Sequence, residues 1–181
     1  MECSVGQHYP FPFHCRFENV KGSEKDTTKV KVLPIPNDGR NITKDNVTAV
    51  IFSESEFDEI PSGIFEENLF GGIAYLKFSG GSIRSINAQS LEKASKLKFL
   101  EFSDSTLHAI LPEAFKLAMS LEFIIIQDCT IESFSEDAFV GMKTLKIVQW
   151  AMNFNTDKNL IDFKDIPGVT MLRFRNNRDK I

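Results

Sequence analysis

Residues 97–115 read LKFLEFSDSTLHAILPEAF, and residues 121–139 read LEFIIIQDCTIESFSEDAF. Superimposed, the two stretches place apolar side chains at positions 1, 4, 6, 11, 14 and 19 of one unit. In the first these are Leu97, Leu100, Phe102, Leu107, Ile110 and Phe115; in the second, Leu121, Ile124, Ile126, Ile131, Phe134 and Phe139. The pattern continues outward in both directions. Units begin at Val47, Ile73, Leu97, Leu121, Leu145 and Val169, in steps of 26, 24, 24, 24 and 24 residues. A fixed period of that length is the signature of a solenoid, in which each unit buries its apolar side chains against its neighbours.

Positions 4 and 6 lie two residues apart and so share one face of a strand. They read Val50 and Phe52, Leu76 and Phe78, Leu100 and Phe102, Ile124 and Ile126, Val148 and Trp150, and Leu172 and Phe174. One such strand per unit, stacked, predicts a parallel sheet. Position 11 (Phe57, Ile83, Leu107, Ile131) and position 14 (Ile60, Ile86, Ile110, Phe134) close the core behind it. Position 19 carries Phe65, Leu91, Phe115, Phe139 and Phe163, a spine that absorbs several of the 17 Phe in the chain. Each large apolar side chain fully buried contributes about 1.5–3 kcal/mol, so this core outweighs any single polar contact.

With these columns in place, residues 47–181 resemble the leucine-rich-repeat superfamily and its LxxLxLxxNxL pattern. The resemblance implies an α/β-type repeat solenoid: a horseshoe with a parallel concave β-sheet and a mostly irregular convex side. Position 9 is usually Asn in that family and here reads Ser55, Gly81, Ser105, Cys129, Asn153 and Asn177. Cys129 is therefore expected as a small buried thiol of that ladder, not as a nucleophile, which needs a base and a partly exposed, electropositive setting. The unit from Leu145 departs further, with Asn155 at position 11 and Lys158 at position 14, and the last unit is truncated at Ile181.

Residues 1–46 are expected to cap the solenoid. Residues 15–20 (CRFENV) and 29–35 (KVKVLPI) read as the two strands of a hairpin covering the exposed core edge. Cys3 and Cys15 enclose a short segment rich in Pro and aromatics and read as a disulfide pair. Closing such a loop stabilises by roughly 3 kcal/mol in the chain-entropy model. A zinc site from Cys3, His8, His14 and Cys15 competes with that reading, but the spacing fits no common zinc finger. Two sequons place glycosylation at Asn41 and Asn46, and with the cysteines they point to a secreted, extracellular setting. The start, Met1-Glu2-Cys3, has neither a basic nor an apolar leader region, which suggests a mature fragment carrying an added start Met.

Charge and motifs narrow the function. With 21 Lys+Arg against 25 Asp+Glu and a net charge of -4, the chain lacks the basic footprint of a nucleic-acid binder. No apolar run approaches the ~20 residues of a membrane-spanning helix, so membrane insertion is not expected. There is no Gly-x-Ser-x-Gly elbow, phosphate-binding glycine loop or His-Glu-x-x-His, and no enzyme activity, metal or cofactor is predicted.

Binding chemistry instead gathers on the sheet. Position 3 should face solvent yet reads Ala49, Tyr75, Phe99, Phe123, Ile147 and Met171, a stripe of about 24 Å at ~4.8 Å per strand. A stripe that long marks a protein interface, with Tyr and Phe as anchors. Lys77 and Glu101 at position 5 and Arg173 at the basic C-terminal end join it as contact residues. Lys98, Glu122 and Lys146 flank it at position 2, and Glu54, Asp104 and Asp128 form an acidic edge at position 8.

The CRFENV run, the Phe-rich units and the sparse Asn ladder are similar to those of insect, mosquito-type leucine-rich-repeat immune proteins. That resemblance implies secretion into haemolymph and action through a protein partner, such as a complement-like thioester protein or another leucine-rich-repeat protein. A homodimer is the other way to cover the stripe. The competing identity is an ectodomain fragment of a leucine-rich-repeat membrane receptor or adhesion protein.

Overall fold

The computed structural model describes residues 2–5, 13–22, 47–66, 70, 72–155 and 169–174. Its strands are β1 (Glu2–Val5), β2 (Phe13–Glu18), β3 (Lys21–Gly22), β4 (Ala49–Glu59), β5 (Tyr75–Ser85), β6 (Phe99–Ser103), β7 (Thr106–Ile110), β8 (Phe123–Gln127), β9 (Thr130–Phe134), β10 (Ile147–Ala151), β11 (Phe154–Asn155) and β12 (Thr170–Phe174). They form a parallel-sheet β-solenoid. Parallel pairing runs β2-β4-β5-β6-β8-β10-β12 along one strip and β3-β4-β5-β7-β9-β11 along a second, while β1 adds antiparallel to β2. The 24-residue period appears directly as register: Tyr75 pairs with Phe99, Phe99 with Phe123, and Phe123 with Ile147.

The second strip is the main departure from the expected architecture. Among the described residues, helix is limited to short 3-10 turns at Ser62–Phe65 and Gln89–Leu91, so the α/β-type description gives way to an almost wholly β solenoid. Positions 10–14 do more than close the core, because they too are extended and hydrogen-bonded from coil to coil. A corner separates the two strips at position 8, where the backbone turns left-handed: Glu54, Gly80, Asp104, Asp128 and Met152 all have positive φ. Asn19 shares the feature one coil earlier. Asn, Asp and Gly are the residues that best tolerate this conformation, which explains most of the column.

Packing follows the column pattern. Val50, Phe52, Leu76, Phe78, Leu100, Phe102, Ile124, Ile126 and Val148 are all buried. The position 6 rings stack on one another, Phe52 on Phe78 at 5.4 Å and Phe78 on Phe102 at 5.5 Å, with interplanar angles of 18° and 10°. In the spine, Leu91, Phe115 and Phe139 are buried, and Phe115 stacks on Phe139 at 5.3 Å. Phe65 is only half-buried; its neighbour Ile64 takes the core position. Trp150 is also half-buried and meets Phe134 edge-on at 5.2 Å. Phe163 and Lys158 lie outside the described residues.

Position 9 satisfies the corner with several chemistries. Asn153 is the familiar amide rung: its Nδ2 donates to Ile126 O at 2.8 Å and its Oδ1 accepts from Cys129 N–H at 2.9 Å. Ser55, Ser105 and Cys129 each donate instead to the carbonyl two residues back, at 2.8, 2.9 and 3.3 Å. Gly81 makes room for the chain itself, since a Cβ there would lie 2.0 Å from the Ser55 carbonyl oxygen.

The N-terminal end differs from the expected hairpin. The antiparallel partner of β2 is β1, and β2 runs parallel to β4 with Cys15 opposite Val50 and Phe17 opposite Phe52. Residues 13–22 therefore continue the solenoid by one more coil, and Phe17 extends the ring column at 5.2 Å from Phe52. Residues 29–35, the expected second hairpin strand, lie outside the described residues, as do Asn41 and Asn46. Phe115→Ala is expected to cost about 3–5 kcal/mol, because a core ring held between coils leaves a cavity that cannot collapse. Phe65→Ala, at a half-buried site, should cost clearly less; urea titrations of the two variants check the difference.

Candidate functional site

The outward face of the first strip is built by strand alternation. Residues at positions 4 and 6 point to the core, so positions 3 and 5 of the same strands are left on the opposite side. Tyr75, Phe99, Phe123 and Ile147 fall in one continuous row and are all half-buried. The expected stripe is shorter at both ends. Ala49 is buried, 1 % exposed, and offers no contact surface. At the other end the pairing slips: Ile147 pairs with Thr170, Val148 with Met171 and Trp150 with Arg173. The last step is thus one residue shorter than 24. Met171 stands in the column of Val148, and Arg173 in that of Trp150, not in the columns assigned to them from the sequence.

Phe99 and Phe123 carry the middle of the row. Their rings lie 4.4 Å apart and nearly parallel, at 3°. Each covers a face of the other, so the pair presents ring edges outward. Beside them Glu101 gathers two donors from the neighbouring coil: Tyr75 Oη at 2.6 Å and Lys77 Nζ at 2.8 Å. The Lys77 and Glu101 side chains are 26 % and 13 % exposed, so this pair sits well down in the sheet surface. Burial, reinforced by the hydrogen bond and negative charge of Glu101, pushes the Tyr75 phenol far above its ordinary pKa. Tyr75 is a fixed hydrogen-bond donor at every physiological pH.

Two rims border the row. At position 2, Glu122 lies between Lys98, at 3.9 Å, and Lys146, which hydrogen-bonds it. The Lys146 hydrogen bond holds the Glu122 carboxyl below its ordinary pKa. At position 8, Glu54 and Asp104 are exposed and Asp128 is half-buried. None of the three has an ion-pair partner among the described residues. Between the row and this acidic rim, position 7 is small or polar, with Ser53, Ser79, Ser103, Gln127 and Ala151; the buried Ser103 Oγ makes no hydrogen bond.

The second strip carries a charge pattern that the sequence reading passed over. Lys21 pairs with Glu56 at 3.1 Å, Arg84 with Asp58 at 3.3 Å, and His108 Nδ1 with Glu132 at 2.8 Å. The signal was present for Asp58 and Arg84, opposite charges one 26-residue step apart, but not for Lys21 and Glu56, which lie 35 residues apart. These pairs are largely exposed and each contributes under about 1 kcal/mol.

Cys129 is fully buried behind the first strip, and burial pushes its thiol up to about 11. Among the described residues no group of three or more His, Cys, Asp or Glu side chains is placed to hold a metal ion. Nor, among them, is any helix long and apolar enough to cross a membrane. No protein-family model matches the chain, and no curated protein matches its sequence.

The thiol makes a testable prediction. Its folded pKa lies above the reference value of 9.0, so the folded state holds this proton more tightly than the unfolded chain. The stability it contributes is complete below pH 9 and falls as pH rises toward about 11. At pH 8 the native protein should resist iodoacetamide at Cys129, whereas protein in 8 M urea should be alkylated there at the rate of an ordinary thiol; peptide mapping reads both.

Proposed function

We propose that this chain is a secreted leucine-rich-repeat recognition module that binds a protein partner through the concave face of its sheet, in insect innate immunity and a complement-like pathway. The observation that carries this reading is the row Tyr75, Phe99, Phe123 and Ile147, apolar on successive strands and left half-buried by its own neighbours. Side chains that already lose half their exposure in the free protein are preorganised, so a partner that covers them pays little further ordering entropy. Lys77 and Glu101 satisfy each other beside the row, which leaves no unpaired charge there when the face is covered. The stacked rings offer edges and not open faces, which favours a protein surface over a sugar ring stacking flat on an aromatic platform.

The extracellular setting has its own support. Cys3 and Cys15 stand opposite one another in the β1–β2 pair. Directly opposed residues of an antiparallel pair have Cα separations of about 4.5–5.5 Å, inside the range a disulfide spans. The proposed oxidised cap predicts that protein unfolded without reductant takes up a single alkyl group, at Cys129; uptake of three would contradict it.

The binding face is tested by placing a photo-crosslinking amino acid at Phe123 or, on the turn side, at the exposed Val140. In insect haemolymph plasma, protein adducts should form from position 123 and be lost when Phe99→Ser removes its stacking partner. Adducts from position 140 alone would overturn the reading. Light scattering over a concentration series then separates a second copy of the chain from a different protein.

A further inference from the structure

The face just described has a shape and a charge order that select one kind of occupant. From Tyr75 to Ile147 the row crosses three strand-to-strand intervals, about 14 Å at ~4.8 Å each. An α-helix laid across the strands returns its apolar stripe once per 5.4 Å turn, so three turns span about 16 Å and stay within about 2 Å of the rungs. An extended strand repeats a face every ~6.7 Å and drifts by about 6 Å over the same three intervals. The helix keeps step with the coils.

Width points the same way. Positions 2 and 8 flank a five-residue strand and lie six residue steps apart, at most about 20 Å at ~3.3 Å per residue. A helix with its side chains is about 10–12 Å across, so one flank comes within reach of the position 2 lysines while long basic side chains on its other flank extend to the position 8 carboxylates.

The rims differ in sign. Lys98 and Lys146 share the single carboxylate of Glu122, which leaves the position 2 rim with one net positive charge. Glu54, Asp104 and Asp128 leave three negative charges at position 8, with no ion-pair partner among the described residues. We infer that this face takes an amphipathic helix of a protein partner, its apolar stripe on Tyr75, Phe99, Phe123 and Ile147, its basic flank along Asp104 and Asp128, and its acidic flank along Lys98 and Lys146. The split in charge also sets the direction of the helix, since turning it end for end would exchange its flanks.

This inference rests on the proposed protein-binding face and narrows its occupant. The probe is a stapled 14-residue helix with Leu at heptad spacing, Arg along one flank and Glu along the other, its anisotropy titrated with the full chain. Versions with both flanks basic or both acidic, and a proline-rich extended peptide of matched composition, serve as comparisons. The split helix should bind most tightly and should lose at least tenfold on the Asp104→Lys/Asp128→Lys variant. That loss should shrink in high salt, as expected for exposed charges. Equal binding by the rim variant, tighter binding of the extended peptide, or no binding of any helix would overturn the inference. Crosslinking from position 123 that persists in those cases would show that the face still binds protein, but not as a helix.

Discussion

Like-on-like stacking between coils is the interaction on which the rest of the molecule depends. Phe17, Phe52, Phe78 and Phe102 form one unbroken column of rings, at 5.2, 5.4 and 5.5 Å between neighbours. That spacing is close to the distance between hydrogen-bonded strands, so one geometry serves the backbone and the core together. No coil can bury its own column alone; it needs a neighbour above and below. Register follows from this, because a slip of one residue would carry Phe78 to the outer face and Lys77 or Ser79 into the core.

The outer face inherits its order from the inner one. Once positions 4 and 6 are fixed inward, Tyr75, Phe99, Phe123 and Ile147 must align on the other side, and complementary charges one repeat apart must meet. Lys77 reaches Glu101, and Glu122 reaches Lys98 and Lys146, without any special local device. The binding surface is thus a printed copy of the repeat. Its individuality lies where the column composition changes: aromatic at Tyr75, Phe99 and Phe123, and acidic, without an ion-pair partner among the described residues, at Asp104 and Asp128.

Much of this was legible in the sequence because the repeat is an equal-step pattern of apolar residues. The buried columns at positions 4, 6 and 11 were readable from spacing alone, and so was the placement of Lys77 and Glu101 together at position 5. Other features were not. The second strand of each coil was hidden because Thr106-Leu107-His108-Ala109-Ile110 shows two inward apolar residues three apart, which suits a turn as well as a strand. The one-residue slip at β12 was hidden because Val169, Leu172 and Phe174 fit the apolar template equally well in the unslipped frame. The continuation of the solenoid through residues 13–22 was missed for lack of a preceding unit at the usual period, although Phe17 already held the place of Phe52.

The central claim is that coils repeat in register, with like residues in vertical columns on both strips. Through-space NMR contacts between labelled methyl groups test it most directly. The account predicts contacts in sequence from Ile83 to Leu107 and from Leu107 to Ile131 behind the sheet, and from Leu76 to Leu100 to Ile124 to Val148 beneath the aromatic row. Contacts that skip a repeat, or that pair Leu100 with residues one position off Ile124, would contradict it.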